Sequence, residues 1–270
     1  MKLAFIGGGN MASALIGGLI AKGAKPGTLS VVEPVAAARR KLAARYKVHA
    51  SAAPDARTAA ADTLLLAVKP QDMRADVGPL AAKLRGKLVI SVAAGIRLRD
   101  LSRWLGGHAR LIRCMPNTPA LIGAGIAGLY APPAASAADK RRAEGILRAV
   151  GKVVWVKDES LLDPVTAVSA SGPAYVFWFI EQLAAAGTAL GLEPGASAQL
   201  ALETVLGSAQ LAAAAKEPPS VLRERVTSRG GTTAAALKVF EDEALAERFG
   251  RAIEAASRRG AEMGDLLGKD

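Results

Sequence analysis

Aromatic residues make up only 4% of this 270-residue chain, which has one cysteine and two histidines. The shortage of aromatics leaves the core to Ala, Leu, Val and Ile, and much Ala and Leu favours helix. A single thiol, Cys114, excludes an internal disulfide framework and fits a reducing compartment. His49 and His108 stand alone, without metal-ligand spacing, so they read as surface or satisfied structural residues and no metal is expected. No Ser–His–Asp constellation or paired-carboxylate motif is recognisable. No segment offers about 18 uninterrupted apolar residues, so no membrane span is expected. The net charge of +11 is scattered, without a run of five or six basic residues, and no nucleic-acid partner is expected.

Hydrophobic residues at 51% and charged residues at 22% suit a globular chain with one large domain or two ordinary ones. Lys2 and the apolar stretch to Ala21 mimic a signal peptide, but Asn10 and five glycines interrupt it. Strand, turn and helix explain it better, and a cytoplasmic location is expected. Leu3-Ala4-Phe5-Ile6 reads as a buried strand, Gly7-Gly8-Gly9-Asn10-Met11-Ala12 as a glycine turn, and the apolar run beyond as a helix. The spacing G-x-G-x-x-A is a form of the dinucleotide-binding fingerprint. Gly7 allows the tight turn, Gly9 lets backbone approach a pyrophosphate, and Ala12 permits close helix–strand packing. The open amides of the helix start then face the phosphates.

Leu29 to Glu33 forms a second strand, and Glu33 lies roughly 20 residues past the motif, where an acid accepts the adenosine ribose hydroxyls. That favours NAD; Arg39 and Arg40, just downstream, would partly offset repulsion of a 2′-phosphate. Thr63 to Val68, Leu88 to Val92, Leu111 to Cys114, Gly125 to Tyr130 and Val153 to Val156 are further strands. They alternate with helices, which predicts right-handed crossovers and a mostly parallel sheet. Lys69, in the Lys69-Pro70 loop after one strand, and the small residues Ala93-Ala94-Gly95 after another lie where ligands collect. From about Leu161 the apolar period becomes helical. Asp163-Pro164 starts a helix, Ser169 to Pro173 interrupts it, and further helices begin near Ala174, Pro194, Ser220, Thr232 and Ala244. The expected fold is α/β: a Rossmann-like, doubly wound, mostly parallel sheet over 1–158, with an all-helical domain over 159–270.

Gly230-Gly231 before the helix at Thr232-Thr233 exposes backbone amides at a helix start, a place that suits a carboxylate. On residues alone, Thr232 or Thr233 could equally cap that helix, and Ser169 and Ser171 could cap the break at Gly172-Pro173.

The run Asp163-Pro164-Val165-Thr166-Ala167-Val168-Ser169-Ala170-Ser171-Gly172-Pro173-Ala174-Tyr175-Val176-Phe177 resembles the pyrroline-5-carboxylate reductases. So do Val226-Thr227-Ser228-Arg229-Gly230-Gly231-Thr232-Thr233, Ala67-Val68-Lys69-Pro70, Ser91 to Gly95 and Met115 to Ala120. The resemblance spans essentially the whole chain. It implies hydride transfer from NADPH or NADH to the C=N carbon of 1-pyrroline-5-carboxylate, giving L-proline in the last step of proline biosynthesis. The alternative is a reductase of another cyclic imine or of a hydroxy acid on the same plan. It further implies a homodimer through the helical domain, with larger rings such as a decamer. Thr233 becomes the catalytic residue, its hydroxyl reaching the ring nitrogen, and Gly230, Gly231, Thr232, Thr233 and Ser171 bind substrate. Cofactor contacts are expected from Ile6, Gly7, Gly8, Gly9, Asn10, Met11, Glu33, Ala67, Val68, Lys69, Pro70, Ala93, Ala94 and Asn117. Three positions depart from the family pattern: Arg229 replaces a usual proline, Ala170 a common glycine, and Glu33 a small hydroxylic residue frequent in NADP-preferring relatives. The NADPH-versus-NADH preference is open on the sequence.

Overall fold

A computed structural model describes residues 2–269. The elements of its first part are β1 (Leu3–Ile6), α1 (Asn10–Ala21), β2 (Leu29–Val32), α2 (Ala36–Tyr46), β3 (His49–Ser51), α3 (Ala56–Ala59), β4 (Thr63–Leu66) and α4 (Met73–Val77). Then come β5 (Leu88–Ser91), α5 (Leu98–Trp104), β6 (Leu111–Met115), β7 (Gly125–Tyr130), α6 (Ala137–Leu147), β8 (Gly151–Trp155) and α7 (Leu162–Val165). Five helices follow: α8 (Gly172–Ala189), α9 (Pro194–Ala214), α10 (Pro219–Arg225), α11 (Thr232–Asp242) and α12 (Leu245–Leu267).

The strands form one sheet in the order β3-β2-β1-β4-β5-β6-β7-β8. All neighbours are parallel except β6 and β7, which run antiparallel. The sheet is mostly parallel and doubly wound, with β1 and β4 meeting where the strand order reverses. Side chains that alternate along each strand feed two cores. Leu3, Phe5, Leu65, Leu88 and Ile90 pack on one face with α1 and α6. Ala4, Ile6, Leu64, Leu66 and Val89 pack on the other with Met73, Val77, Leu98 and Leu101. Cover on both faces explains why these strands are continuous apolar runs, each large buried side chain contributing about 1.5–3 kcal/mol.

The expected interruption at Ser169 to Pro173 is seen in altered form and a few residues earlier, between Val165 and Gly172. The chain stays helical through a widened π turn over Thr166–Ala170, closed by the Ser171 amide on the Thr166 carbonyl at 2.9 Å, and α8 starts at Gly172. Pro173 falls in the first turn of α8, where its missing N–H costs no helical bond. Ser169 lies within the π turn, and Ser171 ends it through its backbone amide.

By spatial contact the chain forms two compact units: the part up to Ser171 joined by the segment from Ala255 on, and Gly172–Glu254. Within the second, α8 packs along α9, where the Ser197 hydroxyl donates to the Ala184 carbonyl at 2.6 Å. Phe177, Trp178, Phe179, Phe240 and Phe249 of this unit lie exposed, an apolar area of the kind that marks an association surface. No helix among the described residues is long and apolar enough to cross a membrane.

Candidate active site

In open α/β sheets ligands gather beyond the carboxyl ends of the strands, at the point where strand order reverses. Here that point lies between β1 and β4, and the glycine turn leaves β1 there. Gly7 takes φ +94°, and its amide donates to the Val32 carbonyl at 2.9 Å. A Cβ on Gly7 would lie 2.6 Å from the Ala67 carbonyl oxygen, so the turn admits no side chain. At Gly9 a Cβ would meet nothing within 4 Å. That open space lies directly ahead of α1, which begins without a side-chain cap and so leaves its first amides available to an anion. A pyrophosphate fits this cradle on both grounds.

Glu33 follows β2 and is 8% exposed. Its Oε2 accepts the Gly8 amide at 2.9 Å and its Oε1 accepts the Val35 amide at 2.8 Å. The carboxylate is thus part of the glycine turn, a link that spacing alone did not disclose. Ile6, Asn10 and Met11 flank the turn on β1 and α1. Ala67 to Pro70 leave β4 beside it, and the Ala67 amide donates to the Ile6 carbonyl at 2.8 Å. Ala93 and Ala94 follow β5 at the same end of the sheet, ahead of Gly95 at φ +71°. Asn117 follows β6, and its amide is engaged within the protein: Oδ1 accepts from the Ile126 amide at 3.0 Å, and Nδ2 donates to the Ser169 carbonyl at 3.3 Å.

The second unit holds the Gly-Gly-Thr-Thr segment. Gly230 adopts φ +74°, and the Gly231 amide closes a tight turn on the Ser228 carbonyl at 3.0 Å. Gly231 occupies the cap position of α11, with no side-chain cap; Thr232 and Thr233 are the first two helical residues. Neither threonine is the cap, so helix capping is not the role of these hydroxyls. The first amides of α11 are left open, again an arrangement that favours an anion. Arg229 is exposed beside Gly230.

Sequence reasoning missed Arg113, which is 3% exposed in the middle of β6. Its guanidinium meets Glu159 Oε1 at 3.2 Å and Asp163 Oδ1 at 3.8 Å, and Glu159 Oε1 also accepts the Leu98 amide at 2.7 Å. A lone arginine inside the apolar run Leu111-Ile112-Arg113-Cys114 was the available signal, because a buried cation requires a partner. Burial raises the Asp163 carboxyl above its ordinary range, with Arg113 and Arg97 opposing. The two histidines make contacts within the protein. His49 Nε2 pairs with Asp55 Oδ2 at 2.5 Å, and His108 Nε2 meets the Lys87 carbonyl at 3.1 Å. Cys114 is fully buried, and burial pushes its thiol far above the ordinary range, which makes it inert. No cluster of three His, Cys, Asp or Glu placed to hold a metal occurs among the described residues.

A tight glycine turn at the switch point, an acid bonded into it and an uncapped helix start define a dinucleotide-dependent enzyme of the Rossmann class. The chain matches the family model "Pyrroline-5-carboxylate reductase dimerisation" over residues 159–263 and "NADP oxidoreductase coenzyme F420-dependent" over 2–95. It is 43% identical to the pyrroline-5-carboxylate reductase of Pseudomonas aeruginosa, over 99% of this chain and 98% of that one. The chain belongs to the pyrroline-5-carboxylate reductase family. Among solved structures, the Coxiella burnetii pyrroline-5-carboxylate reductase superposes with TM-score 0.92 at 38% identity, covering 97% of this chain and 98% of that one. The Plasmodium falciparum pyrroline carboxylate reductase with NADP bound superposes with TM-score 0.86 at 29% identity, covering 98% of each.

Proposed function

We propose that this chain reduces 1-pyrroline-5-carboxylate to L-proline with a dihydronicotinamide dinucleotide, the last step of proline biosynthesis. One observation carries the reading: full-length membership of the family coincides with two uncapped helix starts, one after Gly9 and one after Gly231. When bound, the dihydronicotinamide supplies the hydride, which adds to the C=N carbon while the ring nitrogen takes a proton. The chain's own residues bind and orient. Gly7 to Met11 hold the pyrophosphate, Glu33 the adenosine ribose, and Ile6, Ala67 to Pro70, Ala93, Ala94 and Asn117 shape the rest of the cofactor site. Gly230 and Gly231 shape the turn that presents the open Thr232 amide to the substrate carboxylate, Ser171 lines the substrate site, and the Thr233 hydroxyl bonds the ring nitrogen.

Residues 1–158 serve the dinucleotide, and residues 159–270 serve substrate and association. The exposed aromatics of the helical region support a homodimer formed there; a ring such as a decamer is its proposed larger assembly, and the cytoplasm its proposed location. The test is a steady-state assay of NADH and NADPH oxidation with 1-pyrroline-5-carboxylate, alongside a cyclic imine lacking the carboxylate. Turnover of the carboxylate substrate with at least one cofactor is expected. Absence of turnover with both, on folded protein, overturns the proposal.

A further inference from the structure

Glu33 carries more than a ribose contact. Two backbone donors, the amides of Gly8 and Val35, hold its two oxygens from different segments, so the buried carboxylate has a fixed orientation. A carboxylate has about four acceptor positions, so capacity remains for the two hydroxyls of a ribose. A phosphate on the 2′ position would instead meet a negative group unable to turn aside.

Of the two basic residues expected to relieve that repulsion, Arg40 is exposed on α2 and Arg39 is engaged with the loop. Nη1 of Arg39 donates to the carbonyls of Glu33 at 2.7 Å and Pro34 at 2.9 Å, so the guanidinium braces the loop that carries the acid. On the β4 side, α4 and the turn before it add Asp72 and Asp76. The Asp76 carboxyl is raised by partial burial first, and then by the charges of Asp72 and Glu33.

The geometry points to a site that selects an unphosphorylated 2′-hydroxyl, NADH over NADPH, with Glu33 as the selector. This inference rests on the proposed placing of a nicotinamide dinucleotide against Gly7 to Met11.

Calorimetric titration of the ligand-free protein with ADP-ribose and with its 2′-phosphate tests it without turnover. ADP-ribose should bind at least about tenfold more tightly, a modest share of the Coulomb repulsion between a fixed carboxylate and a phosphate. Glu33→Ser, and the closer substitute Glu33→Gln, should each bring that ratio below about threefold or reverse it. Arg39→Gln should weaken both ligands alike. Equal or tighter binding of the phosphate by the wild type overturns the inference, as does a selective loss of the phosphate in Arg39→Gln. Should Glu33→Ser fail to fold, the wild-type ratio and Glu33→Gln decide, and an unmoved ratio in Glu33→Gln overturns the inference. A wild-type preference for ADP-ribose without reduction of the pyrroline overturns only the proposed function. Reduction of the pyrroline with binding that favours the 2′-phosphate overturns only this inference.

Discussion

The Gly8 amide donates to Glu33 Oε2 at 2.9 Å, which joins the glycine turn and the end of β2 into one rigid corner. The two glycines on either side of Gly8 are small for different reasons, and substitution separates them. Gly7→Ala places a Cβ 2.6 Å from the Ala67 carbonyl oxygen in a left-handed conformation, a strain of about 1–3 kcal/mol before the clash is counted. Its denaturation midpoint should fall. Gly9→Ala meets nothing within 4 Å and should leave the midpoint in place, while its methyl obstructs the phosphate cradle and weakens dinucleotide binding at least tenfold, about 1.4 kcal/mol. Calorimetry and denaturation on the same pair of variants give the comparison.

Thr233 lies in the first turn of α11, one residue beyond Thr232, while Gly231 takes the cap position. Thr233→Val should therefore leave stability nearly unchanged and lower kcat/KM by one to two orders of magnitude, a loss of about 1.4–2.7 kcal/mol. Thr233→Ser should recover much of it by restoring the hydroxyl. Steady-state kinetics and a melting curve check both halves.

Arg113 and Glu159 meet at 3.2 Å, and the arginine is almost completely buried. Glu159→Ala removes that partner and the acceptor of the Leu98 amide together, leaving a buried cation with Asp163 alone at 3.8 Å. A destabilisation of about 3–5 kcal/mol is expected, the usual cost of breaking rather than replacing a buried pair. Chemical denaturation measures it.

Acid should find a specific weak point at Asp55. Desolvation tends to raise this carboxyl, but the Thr58 amide and His49 outweigh it and bring it to about 2, against an ordinary value of 3.8. The folded value is the lower one, so the stabilisation is full above pH 3.8 and disappears as the pH falls towards 2. Asp55→Asn should be less stable at neutral pH and should lack this part of the acid-side decline. Denaturation midpoints across that range give the answer.

The parts legible in the sequence were those set by local chemistry. The turn at Gly7 required a glycine, and the runs Leu3–Ile6 and Thr63–Leu66 carried their burial in their composition. Strand direction had no such mark, so the antiparallel β6–β7 pair was invisible. The pair Gly172-Pro173 looked like a break, because proline in mid-helix and proline in a first turn look identical until the start of α8 is known. In the site, Glu33 was found by its spacing, but its bond to Gly8 spans 25 residues and depends on the strands pairing first. Arg113 was overlooked because its partners, Glu159 and Asp163, come from a distant part of the chain.

The most direct measurement follows the hydrogen itself. The enzyme is given a dihydronicotinamide carrying deuterium at the transferring position of C4, together with 1-pyrroline-5-carboxylate. Proline with one deuterium on the former imine carbon is the predicted product. Proline free of label there, or oxidation of the cofactor with no proline formed, would contradict the account.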